Sequence, residues 1–570
     1  MSSQQLTPKP TFVSRLKNAT SVTAHHIKNH VGVGIVCAVA YFDPGNWGVD
    51  LQAGSQFGYS LLFVVLLSGL FAVFLQVLAS RLGCVTGIDL ASHSRLLLYN
   101  RPKHTLLYRW LGLYPLYVLA EVAIIATDLA ELLGSAIALC LLFPKLELWH
   151  GVLITAFDVI FILGMGDPLR GKPVRAFELL IGSMVLAVLI CMVVIISKVH
   201  VNWGTAFLGY VPSKHIFAPG GVYTSVGILG ATVMPHSLFL GSALATQDRI
   251  SFHPDGSVET LGVPPTTKES ELDESYPTKP TSAPPPPPPR TLTQRVYASL
   301  KESLANAFRT PIATATTATR HGERQNNSDE FVRAHVYHGT FDIVGSLLGF
   351  AVMINSLILM LAAAVFYYGE GRSDADSAAS LFDAYDLIRD IVGQPAATLF
   401  AIALLCAGQS SSIIATVAGQ AVSEGFLHWR TSPVVRRVVT RLLAIIPSMA
   451  VAVSIGRPGI DTLLVASQVV LSIVLPFVTF PLLYCTASKA IMSVRKTVVP
   501  PSPTLSPLSR TSTAVTLTER TPGGVEVAEE GEIVDYSNNK FAIGVGMAIW
   551  LVIVAANMYV IVDLGLGAQA

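Results

Sequence analysis

The chain has 570 residues, of which 13% are charged, with a formal net charge of +1 and a mean hydropathy of +0.55. A soluble domain carries roughly twice that charged fraction, and no basic excess speaks for nucleic acid. The surplus is Leu, Val, Ile and Ala in blocks of about 20 residues, the length that crosses a hydrocarbon core, so the composition defines a polytopic membrane protein.

The polar stretch over residues 1–30 lacks the short apolar core of a cleaved signal peptide and reads as a cytoplasmic tail. Apolar runs then predict eleven spans, at 31–57, 60–82, 111–140, 149–166, 175–198, 221–246, 336–367, 394–426, 436–455, 461–488 and 541–563. Lys and Arg favour one set of connections, with Arg15, Lys17, Lys28, Arg95, Arg101, Lys103, Arg170, Lys172, Arg430, Lys489 and Lys496 among them. The positive-inside rule makes that set cytoplasmic and puts the N-terminus inside, and an odd span count puts the C-terminus outside or in a lumen. Residues 247–335, with the run "SAPPPPPPR", and residues 497–538, rich in Ser, Thr and Pro, read as disordered cytoplasmic loops. Within the first, Val296, Leu300, Leu304 and Phe308 stand four apart, spacing that suits a surface helix or a transient one. Both sequons, Asn18 and Asn326, fall on the cytoplasmic side and are expected to be unglycosylated. The six cysteines have no metal-ligand or disulfide spacing and read as small buried hydrophobes.

Two spans are interrupted. "VGVGIVCAVAYF" rises about 18 Å as a helix, half a membrane, before Asp43, Pro44, Gly45 and Asn46. Pro44 and Gly45 predict unwinding at that point. The sixth span runs apolar to Met234 and then meets Pro235 and His236. Helices one and six correspond if two five-helix units repeat in inverted topology, which brings both breaks to the bilayer centre, where transporters bind their substrates. Unwound backbone at that depth is tolerated only where it lines a cavity or is buried in protein. Asp43 and Asn46 supply oxygen and Met234 a thioether, a mixed set suited to Mn²⁺, Fe²⁺, Co²⁺ or Cd²⁺ rather than Mg²⁺ or Ca²⁺.

Helix three carries Glu121, Asp128 and Glu131 within an arc of about 80°. Such a face either passes protons or pairs with Arg436, Arg437 or Arg441 to hold helices together. Asp43 is a candidate first proton acceptor, because metal binding competes with its proton. His236 is open to two readings, a proton relay or a structural histidine.

"DPGNWGVDLQAGS" and "GATVMPHSLFLGSAL" resemble the first- and sixth-helix motifs of the natural resistance-associated macrophage protein (Nramp) divalent-metal transporters. The similarity continues through "AEVAIIATDLAELLGSAIAL", "GQSSSIIATVAGQAVSEGF" and "SQVVLSIVLPF". The resemblance implies a LeuT-like all-α fold, with five-helix units over 31–198 and 221–488 and an eleventh helix at 541–563. It also implies proton-coupled import of Mn²⁺ or Fe²⁺ by alternating access. The ligands it implies are Asp43, Asn46, Met234 and the Ala231 carbonyl, joined by Gln468 on occlusion, with a proton path between helices three and nine that includes Arg436 and Arg437. Ser237 stands where many relatives have Asn and is similar to the fungal branch, in which manganese uptake is the usual role.

No enzyme is expected, since there is no His-Glu-x-x-His, phosphate loop or nucleophile with a base. The alternatives on the same fold are a non-transporting metal sensor and a Na⁺-coupled symporter of organic solutes, for which Met234 has no evident use. No permanently bound cofactor is expected; metal and protons are substrates. The implied partners are the lipid bilayer of the cell surface or of an endosome or vacuole, and trafficking or ubiquitin-ligase adaptors at the cytoplasmic loops, with no nucleic acid.

Overall fold

The computed structural model describes residues 32–155, 175–249, 318, 320–369, 380–428, 432–496 and 532–566. The 296–308 helix expected in the first loop lies outside them. The main helices are α1 (Val33–Val39), α2 (Pro44–Phe57), α3 (Leu62–Thr86), α4 (Leu90–Leu98), α5 (Tyr114–Leu142), α6 (Leu148–Thr155) and α7 (Arg175–Ile196). They are followed by α8 (Gly221–Thr232), α9 (Pro235–Leu244), α10 (Asp329–Tyr367), α11 (Gln394–Leu427), α12 (Pro433–Ser454), α13 (Arg457–Ala487) and α14 (Lys540–Gly565). Eight stretches among the described residues are long and apolar enough to cross a membrane, and Val438–Ser454 in α12 is a shorter apolar helix.

Three details differ from the sequence expectation. The helix α10 starts at Asp329, inside the stretch read as disordered, because Ser328 accepts from the Phe331 amide and Asp329 and Glu330 suit the positive end of the dipole. Strand β1 (Ser493–Arg495) pairs antiparallel with β2 (Ile533–Asp535), so order returns before residue 538. Tyr536 beyond β2 donates to Asp329 Oδ1 at 2.7 Å, and Arg81 donates to the Tyr536 carbonyl and Asn538, which pins the hairpin to α3 and α10.

The third concerns the first break. The chain leaves helical form over Ala40–Asp43, ahead of Pro44, and Pro44 opens the second half-helix. The physical reason is that a first-turn amide has no partner inside the helix, so a proline there forfeits nothing, and its φ is already helical. Pro235 opens α9 in the same way, after Val233 and Met234. Each proline therefore marks where a half-helix begins.

The broken helices sit at the centre of the bundle. Tyr41, Phe42, Asp43 and Met234 are fully buried. Small residues permit the approach: a Cβ on Gly134 of α5 would overlap the Pro44 ring, and one on Gly45 would overlap the Gln468 amide of α13. The pattern follows membrane packing, where van der Waals fit replaces the hydrophobic drive.

Candidate metal centre

The last carbonyls of a half-helix lack intrahelical donors and, buried, must find others. At the end of α1, Asn355 of α10 donates to the Tyr41 carbonyl at 2.7 Å and Trp47 Nε1 donates to the Phe42 carbonyl at 3.2 Å. Trp47 is braced in turn by an edge-on contact with Phe400, ring centroids 5.2 Å apart. These two bonds hold the unwound segment open in a fixed shape.

Asp43 is the N-cap of α2 and accepts on Oδ1 from the Asn46 backbone amide at 2.9 Å. The Asn46 side-chain amide donates to the same Oδ1 at 2.7 Å and to the Ala231 carbonyl, in the last turn of α8, at 2.9 Å. One N–H₂ group thus lies between a carboxylate of one break and a carbonyl of the other. Asn46 Oδ1 accepts from Asn355 Nδ2 at 3.2 Å. Asp43 Oδ2 and Gln468 Oε1 are buried with no hydrogen-bond partner among the described residues, an arrangement that costs free energy unless a ligand or water meets it. Gln468 Nε2 is held by Ser467 Oγ at 3.0 Å, which fixes the amide beside Gly45.

The second break is tied to the first through Ser237. Its hydroxyl donates to the Met234 carbonyl at 2.8 Å and lies 2.7 Å from the Tyr41 hydroxyl, which also reaches Gln76 Oε1 at 3.0 Å. Met234 occupies the N-cap position of α9 with no side-chain capping bond.

The structure therefore brings Asp43, Asn46, Ala231 and Gln468 together and puts Met234 in the adjoining break. The proton candidates form a second set along α5. Glu121 takes a two-oxygen contact from Arg436 of α12, at 2.7 and 2.8 Å. Arg441, also on α12 and buried, donates to the Asp128 carbonyl at 3.2 Å and to Ser412 of α11. Glu131 Oε1 accepts from Ser411 at 2.6 Å. His236 Nδ1 is 3.3 Å from Thr127 Oγ1, whose own proton goes to the Ala123 carbonyl, so the imidazole donates and its buried Nε2 carries no hydrogen bond among the described residues. The side chain of Arg437 lies outside the described residues. Residue-type reasoning missed Asn355, Tyr41 and Gln76; a buried amide or phenol in an apolar span is their signal, but their partners are hundreds of residues away or on another helix.

Two broken helices crossing at a buried oxygen-rich centre define a polytopic membrane transporter. The profile described as Natural resistance-associated macrophage protein-like matches residues 34–263 and 312–499. The chain is 37% identical to the manganese transporter pdt1 of Schizosaccharomyces pombe, over 95% of this chain and 86% of that protein. It is 35% identical to the iron transporter SMF3 of Saccharomyces cerevisiae, over 95% and 96%. A crystal structure of the Eremococcus coleocola manganese transporter superposes with a TM-score of 0.62 at 26% identity, covering 97% of this chain and 88% of that one. The chain belongs to the Nramp family, whose members are transporters and not enzymes. Its membrane part is a LeuT-like all-α fold, in which α1–α2 and α8–α9 are the broken helices.

Proposed function

We propose that this protein carries divalent transition-metal ions, Mn²⁺ first and also Fe²⁺, Co²⁺ and Cd²⁺, across a membrane into the cytoplasm by alternating access, driven by protons. The observation that carries the reading is the Asn46 amide donating at once to Asp43 Oδ1 and the Ala231 carbonyl. Its two N–H bonds occupy the place of a small cation between two acceptors. When the amide turns over, Oδ1 replaces Nδ2 and the three oxygens converge on one point. Met234 adds sulfur, which hard cations do not repay, so the site prefers transition metals over Ca²⁺. Gln468 closes the site from α13. The names of the relatives, manganese and iron transporters, support the same substrate class.

Metal entry displaces the proton of Asp43. His236 stands two residues from Met234 and contacts α5 through Thr127, the helix that carries Asp128, Glu131 and, beyond them, Glu121 paired with Arg436 of α12; Arg437 joins this route only by the family resemblance. That succession supports a proton route distinct from the metal route. The N-terminus inside, the C-terminus outside or lumenal, and a plasma or endosomal/vacuolar membrane belong to the same proposal.

The test is Mn²⁺ entry into proteoliposomes with an acidic exterior, comparing wild type, Asp43→Ala and Met234→Ala with Ca²⁺ as competitor. Entry lost in Asp43→Ala, with Ca²⁺ competing well only in Met234→Ala, is the expected result. Mn²⁺ binding without entry by wild type overturns transport in favour of a metal sensor.

A further inference from the structure

Away from the two breaks, three metal-ligating side chains converge from distant parts of the chain. His93 lies on α4, His321 opens a short helical turn (His321–Glu323) ahead of α10, and Cys485 lies near the end of α13. One ligand atom from each lies within 4.8 Å of the others. His93 Nδ1 and His321 Nε2 are 2.9 Å apart, with the rings stacked at a centroid separation of 5.1 Å and 13° between planes. His93 and Cys485 are buried and His321 is half-buried.

The protonation pattern is set by Thr86. Its Oγ1 is 2.7 Å from the Leu82 carbonyl, which only accepts, so the 2.8 Å contact with His93 Nε2 is made by an imidazole N–H. His93 Nδ1 is left with a lone pair directed into the cluster. A ligand histidine fixed by a hydrogen bond through its other nitrogen is the arrangement metal sites use to hold ring and tautomer. Burial, helped by His321 and Arg324, holds His93 well below the usual histidine range; burial, with Arg101 and Arg324, brings His321 down to about 4.

We propose that His93, His321 and Cys485 form a second metal site for a borderline-to-soft divalent cation such as Zn²⁺, Co²⁺ or Cd²⁺, with a fourth position open to water on the His321 side. Metal–nitrogen bonds of about 2.0–2.1 Å and metal–sulfur bonds of about 2.3 Å put tetrahedral ligand atoms roughly 3.3–3.6 Å apart. The histidine nitrogens need to part slightly and the sulfur to close by at most about 1.2 Å to reach the upper end of that range. On binding, Cys485 releases its proton as the sulfur–metal bond forms, and His321 shifts its N–H from Nε2 to Nδ1; no electrons are transferred. The neighbouring guanidiniums of Arg101 and Arg324 repel ions held by charge alone, so Mg²⁺ and Ca²⁺ are excluded while ions bound through nitrogen and thiolate are kept. The site lies on the face that the charge rule makes cytoplasmic, and an occupied site ties α4 and the lead-in to α10 to the end of α13.

No spacing motif marks the site in the chain: its first two ligands are 228 residues apart. The test is Co²⁺ titration of the full-length purified protein, reading ions bound per chain and the sulfur-to-cobalt charge-transfer absorption in the near ultraviolet. Asp43→Ala is expected to bind one ion fewer than wild type and keep the band. Cys485→Ser is expected to lose the band, and His321→Ala to weaken it at least tenfold in affinity, while both retain the ion held at Asp43, which reports that they are folded. No band in wild type, or a band that survives Cys485→Ser, overturns the proposal. Because Asp43→Ala is assayed separately, failure of this site and failure of the transport site are told apart.

Discussion

Asn355 reaches Oδ1 of Asn46 across 3.2 Å, so α10, which lies outside the proposed ligand set, sets the orientation of an amide inside it. The same Nδ2 donates to the Tyr41 carbonyl at 2.7 Å, and a π-helical turn over Leu347–Val352 immediately precedes this part of α10, a distortion that often marks functional positions. On the proposed mechanism Asn355 is a positioning residue: it holds the end of α1 and the side chain that would turn as metal enters.

The first prediction follows. Asn355→Asp preserves shape but removes the donor, leaving a buried carbonyl unpaired, a loss of about 1–3 kcal/mol. Mn²⁺ KM is expected to rise about tenfold, in keeping with that figure, with kcat less affected, and Asn355→Gln to recover part of it. An unchanged KM in Asn355→Asp sinks the positioning role. Proteoliposome uptake over a range of Mn²⁺ concentrations reads it.

Glu121 and Arg436 join α5 to α12 through two short contacts, with side chains 18% and 11% exposed. Removing one partner of so enclosed a pair leaves a charge uncompensated and costs on the order of 3 kcal/mol. Glu121→Gln and Arg436→Gln are each expected to lower the thermal midpoint in detergent, and the double variant to lose less than the sum of the two. Strict additivity means the contact carries no coupling.

The breaks were legible because proline, glycine and a carboxylate are conspicuous in an apolar span. Their detail was not. Composition says that Pro44 is incompatible with a helix interior, but whether it ends one half or begins the next depends on Asp43 capping the Asn46 amide, a three-residue geometry that hydropathy does not weigh. Glu121, Asp128 and Glu131 were readable as one face from helical periodicity, whereas the identity of their partners, Arg436, Arg441 and Ser411, is a matter of which helices pack together. The start of α10 was missed because Ser328, Asp329 and Glu330 are polar and continue a polar loop; it is the cap and the Tyr536 hydroxyl that make them helical and anchored.

Asp128 offers the cleanest separation of metal from proton. It stands on α5, outside the proposed ligand set, with its carbonyl held by Arg441. Asp128→Asn keeps size and removes the titratable group. Mn²⁺ affinity is expected to stay within about threefold of wild type, a change under 1 kcal/mol, while the proton influx accompanying uptake drops. Internal pH recorded during Mn²⁺ uptake reads both; full proton flux in the variant removes Asp128 from the route.

The sequon at Asn326 tests the orientation of the whole chain. Its side-chain nitrogen, the atom to which an N-linked glycan attaches, donates to the carbonyls of Ile491 at 2.7 Å and Ser493 at 2.8 Å, so both of its hydrogens are engaged at the junction of α13 with β1. A sugar there displaces one hydrogen bond and wedges the segment away from the hairpin. In the orientation proposed from the positive-inside count, the same face is cytoplasmic, beyond reach of the glycosylation machinery. Treatment with an N-glycosidase is therefore expected to leave the mass of the purified protein unchanged at Asn326 and equally at Asn18. A mass shift mapped to either asparagine reverses the assigned orientation, and with it the direction in which Asp43 and Met234 receive their ion.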